Sequence, residues 1–226
     1  MKTQSFVYDE LYRRHLPFWD ELDNNDKQTL CRSSAQFMFQ KGKTVHDGNE
    51  CTGLIIIKSG CLRIYMLSDE GKEITLYRLF AGDICILSAS CVLKSITFDV
   101  FITAEEDSEC HVIGGCAFAD ICERVPAAKI FALESAVNSF SDVMWVFQQL
   151  MFMSLEKRLA IFLLDEIAKC GSDTVNLTHE QIAKYMGSAR EAVTRMLRQF
   201  SNEGVVDVGR KGVTVLDKPA LRALAE

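Results

Sequence analysis

Residues 177–197 read LTHEQIAKYMGSAREAVTRML, and residues 198–212 continue RQFSNEGVVDVGRKG. Thr178 with Gln181, and Ser188 with Glu191, are two S/T-x-x-E/Q pairs ten residues apart. Each is a capping box, in which a side chain accepts from the unpaired amides at a helix start. Gly187 lies between them, where a tight turn calls for a residue that tolerates positive φ. Ile182, Ala183 and Met186 mark the inner face of the first helix; Val193, Leu197 and Phe200 mark that of the second. Two short helices joined at a glycine form a helix-turn-helix.

The outer face of the second helix carries Arg190, Glu191, Thr194, Arg195 and Arg198. Arginine forks grip guanine O6 and N7 in the major groove, and a carboxylate accepts from cytosine N4. Gly204 stands where such a helix usually ends. Val205–Val208 and Val213–Leu216 then predict two strands around Gly209-Arg210-Lys211-Gly212, a wing with two cations at its tip for phosphate. Thr178, Ser188, Arg190, Glu191, Thr194, Arg195, Arg198, Arg210 and Lys211 are the candidate DNA-binding set. A solvated charged helix beside an ordinary hairpin is the bland alternative; caps, turn, charged face and basic wing together argue against it.

The segment GSAREAVTRMLRQFSNEGVVDV, residues 187–208, resembles the recognition segment of the Crp–Fnr transcription regulators, relatives of the catabolite activator protein. In that family an arginine, the next glutamate and an arginine four residues on read bases. Arg190, Glu191 and Arg195 match the pattern, and Thr194 stands where relatives have glycine or serine. The resemblance implies a homodimer on palindromic double-stranded DNA, an effector-sensing domain, and RNA polymerase as a partner.

The chain has 226 residues and a net charge of −6. Residues 154–226 hold 11 Lys+Arg and 10 Asp+Glu, whereas residues 1–153 hold 14 and 21. The acid therefore lies ahead of the helix-turn-helix, which is spared repulsion from a polyanion. No stretch approaches the roughly 18 apolar residues of a membrane span. The opening MKTQSFVYDELYRRH has no apolar signal core, so a cytoplasmic protein with no membrane partner is expected. Nine cysteines at no zinc-type C-x2-C spacing predict free thiols in a reducing compartment.

Residues 8–36 carry a helical rhythm. From Ala35 to Ile113 short β-branched and aromatic runs are cut by glycine, as at Phe37–Phe39, Thr44-Val45, Leu54–Ile57, Leu62–Tyr65 and Ile74–Tyr77. Such spacing predicts an antiparallel sandwich or jelly roll. The order of Gly42, Gly48, Gly60, Gly71 and Gly82 also resembles the cyclic-nucleotide-type β-roll of the same family.

Ile130, Leu133, Val137, Phe140, Met144, Phe147 and Met151 then recur at intervals of three and four, a heptad seam. A helix over 127–152 would be roughly 37 Å long. Val143, Trp145, Val146 and Leu150 lie off the seam and suit a second apolar face. One face is expected to meet a second subunit and the other the roll. Ser154 would cap a new helix through Leu155, Leu159, Phe162, Leu163 and Ile167. The predicted fold class is α+β: an effector-sensing β-roll with N-terminal helices over 1–126, a dimerisation helix and hinge over 127–153, and a winged helix-turn-helix over 154–226.

The family's cyclic-nucleotide pocket uses Gly-Glu for the ribose and Arg-Ser for the cyclic phosphate. Here Gly82-Asp83 takes the first place and Phe98-Asp99 the second. A carboxylate beside the phosphate, with no arginine fork, argues against a cyclic nucleotide, and Lys94 is a point charge elsewhere. Oxygen-sensing relatives hold an iron–sulfur centre on N-terminal cysteines, but the first cysteine here is Cys31. Cys85 and Cys91 flank the pocket loop, and Cys110-His111 and Cys116 lie near the end of the roll. A haem, a metal or redox-active thiols are open readings, as is service of the cysteines as small hydrophobes. Gly82, Asp83, Cys85, Cys91, Phe98 and Asp99 form the candidate effector pocket; with Ile84, Ile86, Leu87 and Phe101 its apolar lining suits an uncharged organic effector. The rival class is a jelly-roll enzyme dependent on a metal or thiol. His15, His46, His111 and His179 are scattered, however, and Cys110 and His111 as strand neighbours point to opposite faces.

Overall fold

The computed structural model describes residues 2–48, 51–71, 73–89, 92, 99–209 and 212–226, with side chains from Tyr8 onward. The chain forms two compact units, Met1–Leu67 with Leu76–Val143, and Ser68–Thr75 with Met144–Glu226.

In the first unit, helix α1 (Lys2–His15), a 3-10 turn (Trp19–Glu21) and helix α2 (Asn24–Arg32) precede the strands. Strands β1 (Ser34–Phe39), β2 (Thr44–His46), β3 (Leu54–Ser59), β4 (Cys61–Leu67), β5 (Glu73–Phe80), β6 (Ile84–Cys85), β7 (Phe101–Ala104) and β8 (Ser108–Ile113) follow. They make two four-stranded sheets of order β1-β8-β3-β6 and β2-β7-β4-β5. The described pairings are antiparallel, as the glycine-punctuated runs predict. Leu54, Ile55, Ile56 and Ile57 are all fully buried, because β3 is covered on both faces and needs no polar side. On β4, Leu62 and Ile64 enter the core. Arg63 between them is also buried; its Nε lies 2.9 Å from Glu105 Oε1 and its guanidinium 3.9 Å from the centre of the Tyr65 ring.

Tyr12, Leu16, Phe18, Trp19, Leu22 and Leu30 bring the N-terminal helices into the same core. Asp23 starts α2 by accepting from the Asp26 amide at 2.7 Å. Cys110 and His111 do point to opposite sides of β8, yet both are buried. Cys110 joins the apolar core, and His111 Nε2 meets Tyr12 Oη of α1 at 2.6 Å.

After β8 comes helix α3 (Gly115–Arg124), which carries the exposed Cys116. Cys31, Cys61, Cys85, Cys110, Cys116, Cys122 and Cys170 are free, but Cys51 is disulfide-bonded, which corrects the expectation of free thiols throughout. Pairing depends on Cα atoms brought within about 7 Å by the fold, which spacing along a chain does not reveal.

Helix α4 (Pro126–Phe152) is one continuous 27-residue helix with proline in its first turn. Ala128 and Ala132 are buried in the first unit's core, with Phe131, Ala136 and Val143 partly buried against it. Trp145, expected on an inner face, is instead 46 % exposed.

The second unit contains α5 (Leu155–Cys170), β9 (Thr174–Val175), α6 (His179–Tyr185), α7 (Arg190–Asn202), β10 (Val206–Gly209), β11 (Gly212–Val215) and α8 (Lys218–Ala225). Ser154 caps α5, accepting from the Lys157 amide at 3.1 Å. The sheet order is β10-β11-β9, so the expected two-stranded wing gains a third strand only two residues long. Leu159, Leu163, Ile182, Val193, Leu197, Phe200, Val213 and Leu221 are buried in one separate core. No helix among the described residues is long and apolar enough to cross a membrane.

Candidate nucleic-acid interface

The turn between α6 and α7 is built from backbone outward. Thr178 Oγ1 accepts from the Gln181 amide at 3.2 Å, and Gln181 Oε1 accepts from the Thr178 amide at 2.9 Å, completing a capping box. The second expected box does not form. Helix α7 begins one residue later, with Ala189 as its N-cap and no side-chain cap bond. Gly187 adopts φ +58°, and the Ser188 amide is already used in a 2.9 Å bond to the Ala183 carbonyl, so Ser188 belongs to the turn. Arg158 of α5 holds this corner from behind, donating from Nη1 to the Met186 carbonyl at 3.0 Å.

The Ser68–Thr75 segment also meets α6 within this unit. Glu73 Oε2 lies 2.9 Å from Lys184 Nζ, and Thr75 Oγ1 donates to the Lys184 carbonyl at 3.1 Å. Neither Arg158 nor Glu73 is readable as a partner of this corner from local spacing, since both bonds are long-range.

Helix α7 separates its faces cleanly. Val193, Leu197 and Phe200 are fully buried, whereas Arg190, Glu191, Arg195 and Arg198 are exposed and Thr194 half-buried. Those five outward side chains line one open concavity. Three cations and one acid on a rigid helix make a donor-rich surface with a single strong acceptor, as reading base edges requires. The helix ends where Val205 donates to the Phe200 carbonyl at 2.9 Å, followed by the hairpin of β10 and β11. A Cβ on Gly212 would stand 2.1 Å from the Val175 carbonyl oxygen, so β11 packs on β9 only with glycine there. The wing-tip cations Arg210 and Lys211 lie outside the described residues.

A residue not singled out by its motif stands beside this face. His179, first in α6, places Nδ1 3.0 Å from Thr194 Oγ1. Burial, then the cations of Arg190 and Arg198, lower its pKa below the usual imidazole value. A histidine one residue past the cap is the only sequence signal for it, and its contact with Thr194 spans 15 residues.

The candidate effector residues fall into different environments. Gly82 and Asp83 are exposed in the turn between β5 and β6, where Asp83 Oδ2 accepts from the Phe80 amide at 2.7 Å. That oxygen is committed to its own turn. Asp99 is exposed. Cys85 is buried in the roll's core, and burial pushes its thiol pKa up, away from thiolate chemistry. Cys91, Lys94 and Phe98 lie outside the described residues. Among the described residues no group of three or more His, Cys, Asp or Glu side chains converges as a metal site.

Models of two known families match the chain. A cyclic nucleotide-binding domain matches residues 37–125, and a Crp-like helix-turn-helix domain matches residues 157–224. A crystal structure from Eubacterium rectale, assigned to the Crp/Fnr family of transcriptional regulators, is 43 % identical, covering 93 % of this chain and 98 % of that one with a TM-score of 0.88. The fumarate and nitrate reduction regulatory protein of Yersinia pestis is 26 % identical over 217 residues, 91 % of this chain and 82 % of that protein. Regulatory protein HlyX of Actinobacillus pleuropneumoniae is 25 % identical over 203 residues, 86 % of this chain and 80 % of that protein.

Proposed function

Because the chain belongs to the Crp/Fnr family of transcriptional regulators and is a DNA-binding regulator of that type, we propose that it acts in the cytoplasm as a homodimer on palindromic sites, under control of a small-molecule effector and in concert with RNA polymerase. The exposed arginine-rich face of α7 carries the proposal. Arg190 and Arg195 are assigned to guanines and Glu191 to a cytosine amino group. Arg198, Thr178 and the turn residue Ser188 are assigned to the sugar-phosphate frame, with Arg210 and Lys211 at the wing. The effector domain is assigned to residues 1–126, the dimerisation helix and hinge to 127–153, and the DNA-binding domain to 154–226.

The exposed seam of α4 supports the dimer. Its seam residues Val137, Phe140 and Met151 are 65 %, 60 % and 61 % exposed, a large apolar loss unless a partner covers them. A second copy presents the same heptad pattern in register, which suits a two-stranded coiled coil. Two recognition helices related by a twofold axis would then reach half-sites about 34 Å apart. An enzymatic role has no comparable support: the histidines serve other contacts, as His111 does with Tyr12 and His179 with Thr194.

Selection of bound sites from random DNA tests the assignment, run on wild type and Arg195→Ala. A palindrome is expected from wild type. Arg195→Ala should relax one base pair per half-site and cost about 1–3 kcal/mol in affinity. Identical motifs and stringency from both proteins would remove Arg195 from base readout.

A further inference from the structure

Thr194 lines the same concavity as Arg190, Glu191 and Arg195, yet its hydroxyl is already engaged by His179 at 3.0 Å. A threonine hydroxyl has one proton to give and two lone pairs. What it offers DNA therefore depends on what the imidazole takes. When Nδ1 is bare, the hydroxyl donates to it and turns only lone pairs outward. When Nδ1 carries a proton, the hydroxyl accepts from the ring and turns its own proton outward. Neutral imidazole supplies both tautomers, whereas imidazolium supplies the second arrangement alone.

We propose that His179 is a positioning residue for base readout, whose protonation frees the Thr194 hydroxyl proton to face DNA and so makes the preferred base at that position depend on pH. The inference rests on α7 reading bases. A hydroxyl proton facing DNA fits thymine O4 or guanine O6 and N7, whereas a hydroxyl whose proton is spent on bare Nδ1 offers lone pairs alone, which suit cytosine N4. Acid, which removes the acceptor-only arrangement, should therefore shift the preference opposite Thr194 from cytosine toward thymine or guanine.

The charges around His179 set where the change falls. From α7, Arg190 and Arg198 face it; on its own helix Glu180 is adjacent; Gly209 and Gly212 of the wing border the same hollow with Thr178 and Arg190. Arg210 and Lys211 of that wing lie outside the described residues. Burial and the two arginines favour neutral imidazole in the free protein. The phosphates of a bound duplex act in the opposite direction, so binding takes up a proton and affinity rises as pH falls.

The test uses the full-length protein and the motif enriched from random DNA. The position facing Thr194 is the one at which Thr194→Ala changes the preference. Duplexes differing only there, thymine against cytosine, are then competed at about pH 5.5 and about pH 8. Wild type should shift toward thymine in acid by roughly fivefold. Thr194→Val keeps the methyl and loses the hydroxyl, and His179→Gln neither gains nor loses a proton, so both should bind the motif with a ratio that pH does not change. The Cε1 proton of His179, followed by NMR, should titrate at higher pH with the duplex bound than without it. A wild-type ratio that is the same at both pH values, or an equal shift in Thr194→Val, overturns the inference while leaving DNA reading intact. No enriched motif at either pH overturns both.

Discussion

His111 is 1 % exposed, ringed by Tyr8, Tyr12 and Lys58, and burial followed by the Lys58 charge lowers its pKa to about 4. An unfolded histidine titrates near 6.5, so unfolding takes up a proton between the two values. The resulting stability is fully present above about pH 6.5 and is lost as pH falls through about 4, to the extent of roughly 3 kcal/mol. His111→Gln can still bond Tyr12 Oη but cannot titrate. Its unfolding free energy, followed by urea denaturation, should fall less steeply than that of wild type across this window; parallel slopes would mean that His111 does not titrate as described. Thr178 offers a second single-residue test. Thr178→Ala removes the acceptor for the Gln181 amide and should lower stability by about 1 kcal/mol. An unchanged urea midpoint would show that solvent satisfies that helix end equally well.

At the scale of elements, α4 divides its labour between small and large side chains. Ala128 and Ala132 are buried in the first unit's core, leaving the Phe140 and Phe147 side of the heptad outward at 60 % and 49 % exposure. Replacing both phenylalanines with glutamate places like charges opposite each other across a twofold seam. Phe140→Glu with Phe147→Glu should give monomers by light scattering and a large loss of operator affinity. A wild type that is monomeric at micromolar concentration removes this role for the seam. The alanine face explains why only half of α4 is legible: the heptad is read from large apolar residues, whereas burial of an alanine depends on the space the rest of the core leaves.

For the whole molecule, the match of residues 37–125 to a cyclic nucleotide-binding domain describes a scaffold, and ligand choice lies in side chains grafted on it. Asp83 spends an oxygen on its own turn, and the family resemblance sets Phe98-Asp99, in place of arginine and serine, at the expected phosphate position. Cyclic AMP and cyclic GMP at millimolar concentration should therefore change neither the melting temperature nor operator affinity. A rise of several degrees with either nucleotide would place a phosphate-binding group where none is assigned.

The sequence by itself determined the helix-turn-helix, the roll and the long helix, because each rests on local periodicity, a cap or a turn glycine that acts within a few residues. The start of α7 was missed by one position because Gly187 and the Ala183 carbonyl drew Ser188 into the turn, leaving Ala189 as the cap. Strand β9 has two residues, too short for any alternation to show, and exists because Val213 and Thr214 pair with it. The disulfide at Cys51, the burial of His111 beneath α1, and the contact of His179 with Thr194 were decided only in three dimensions. Each depends on atoms that folding brings within bonding distance, and hydrogen-bond and sulfur chemistry act over ångströms of space, not along the chain.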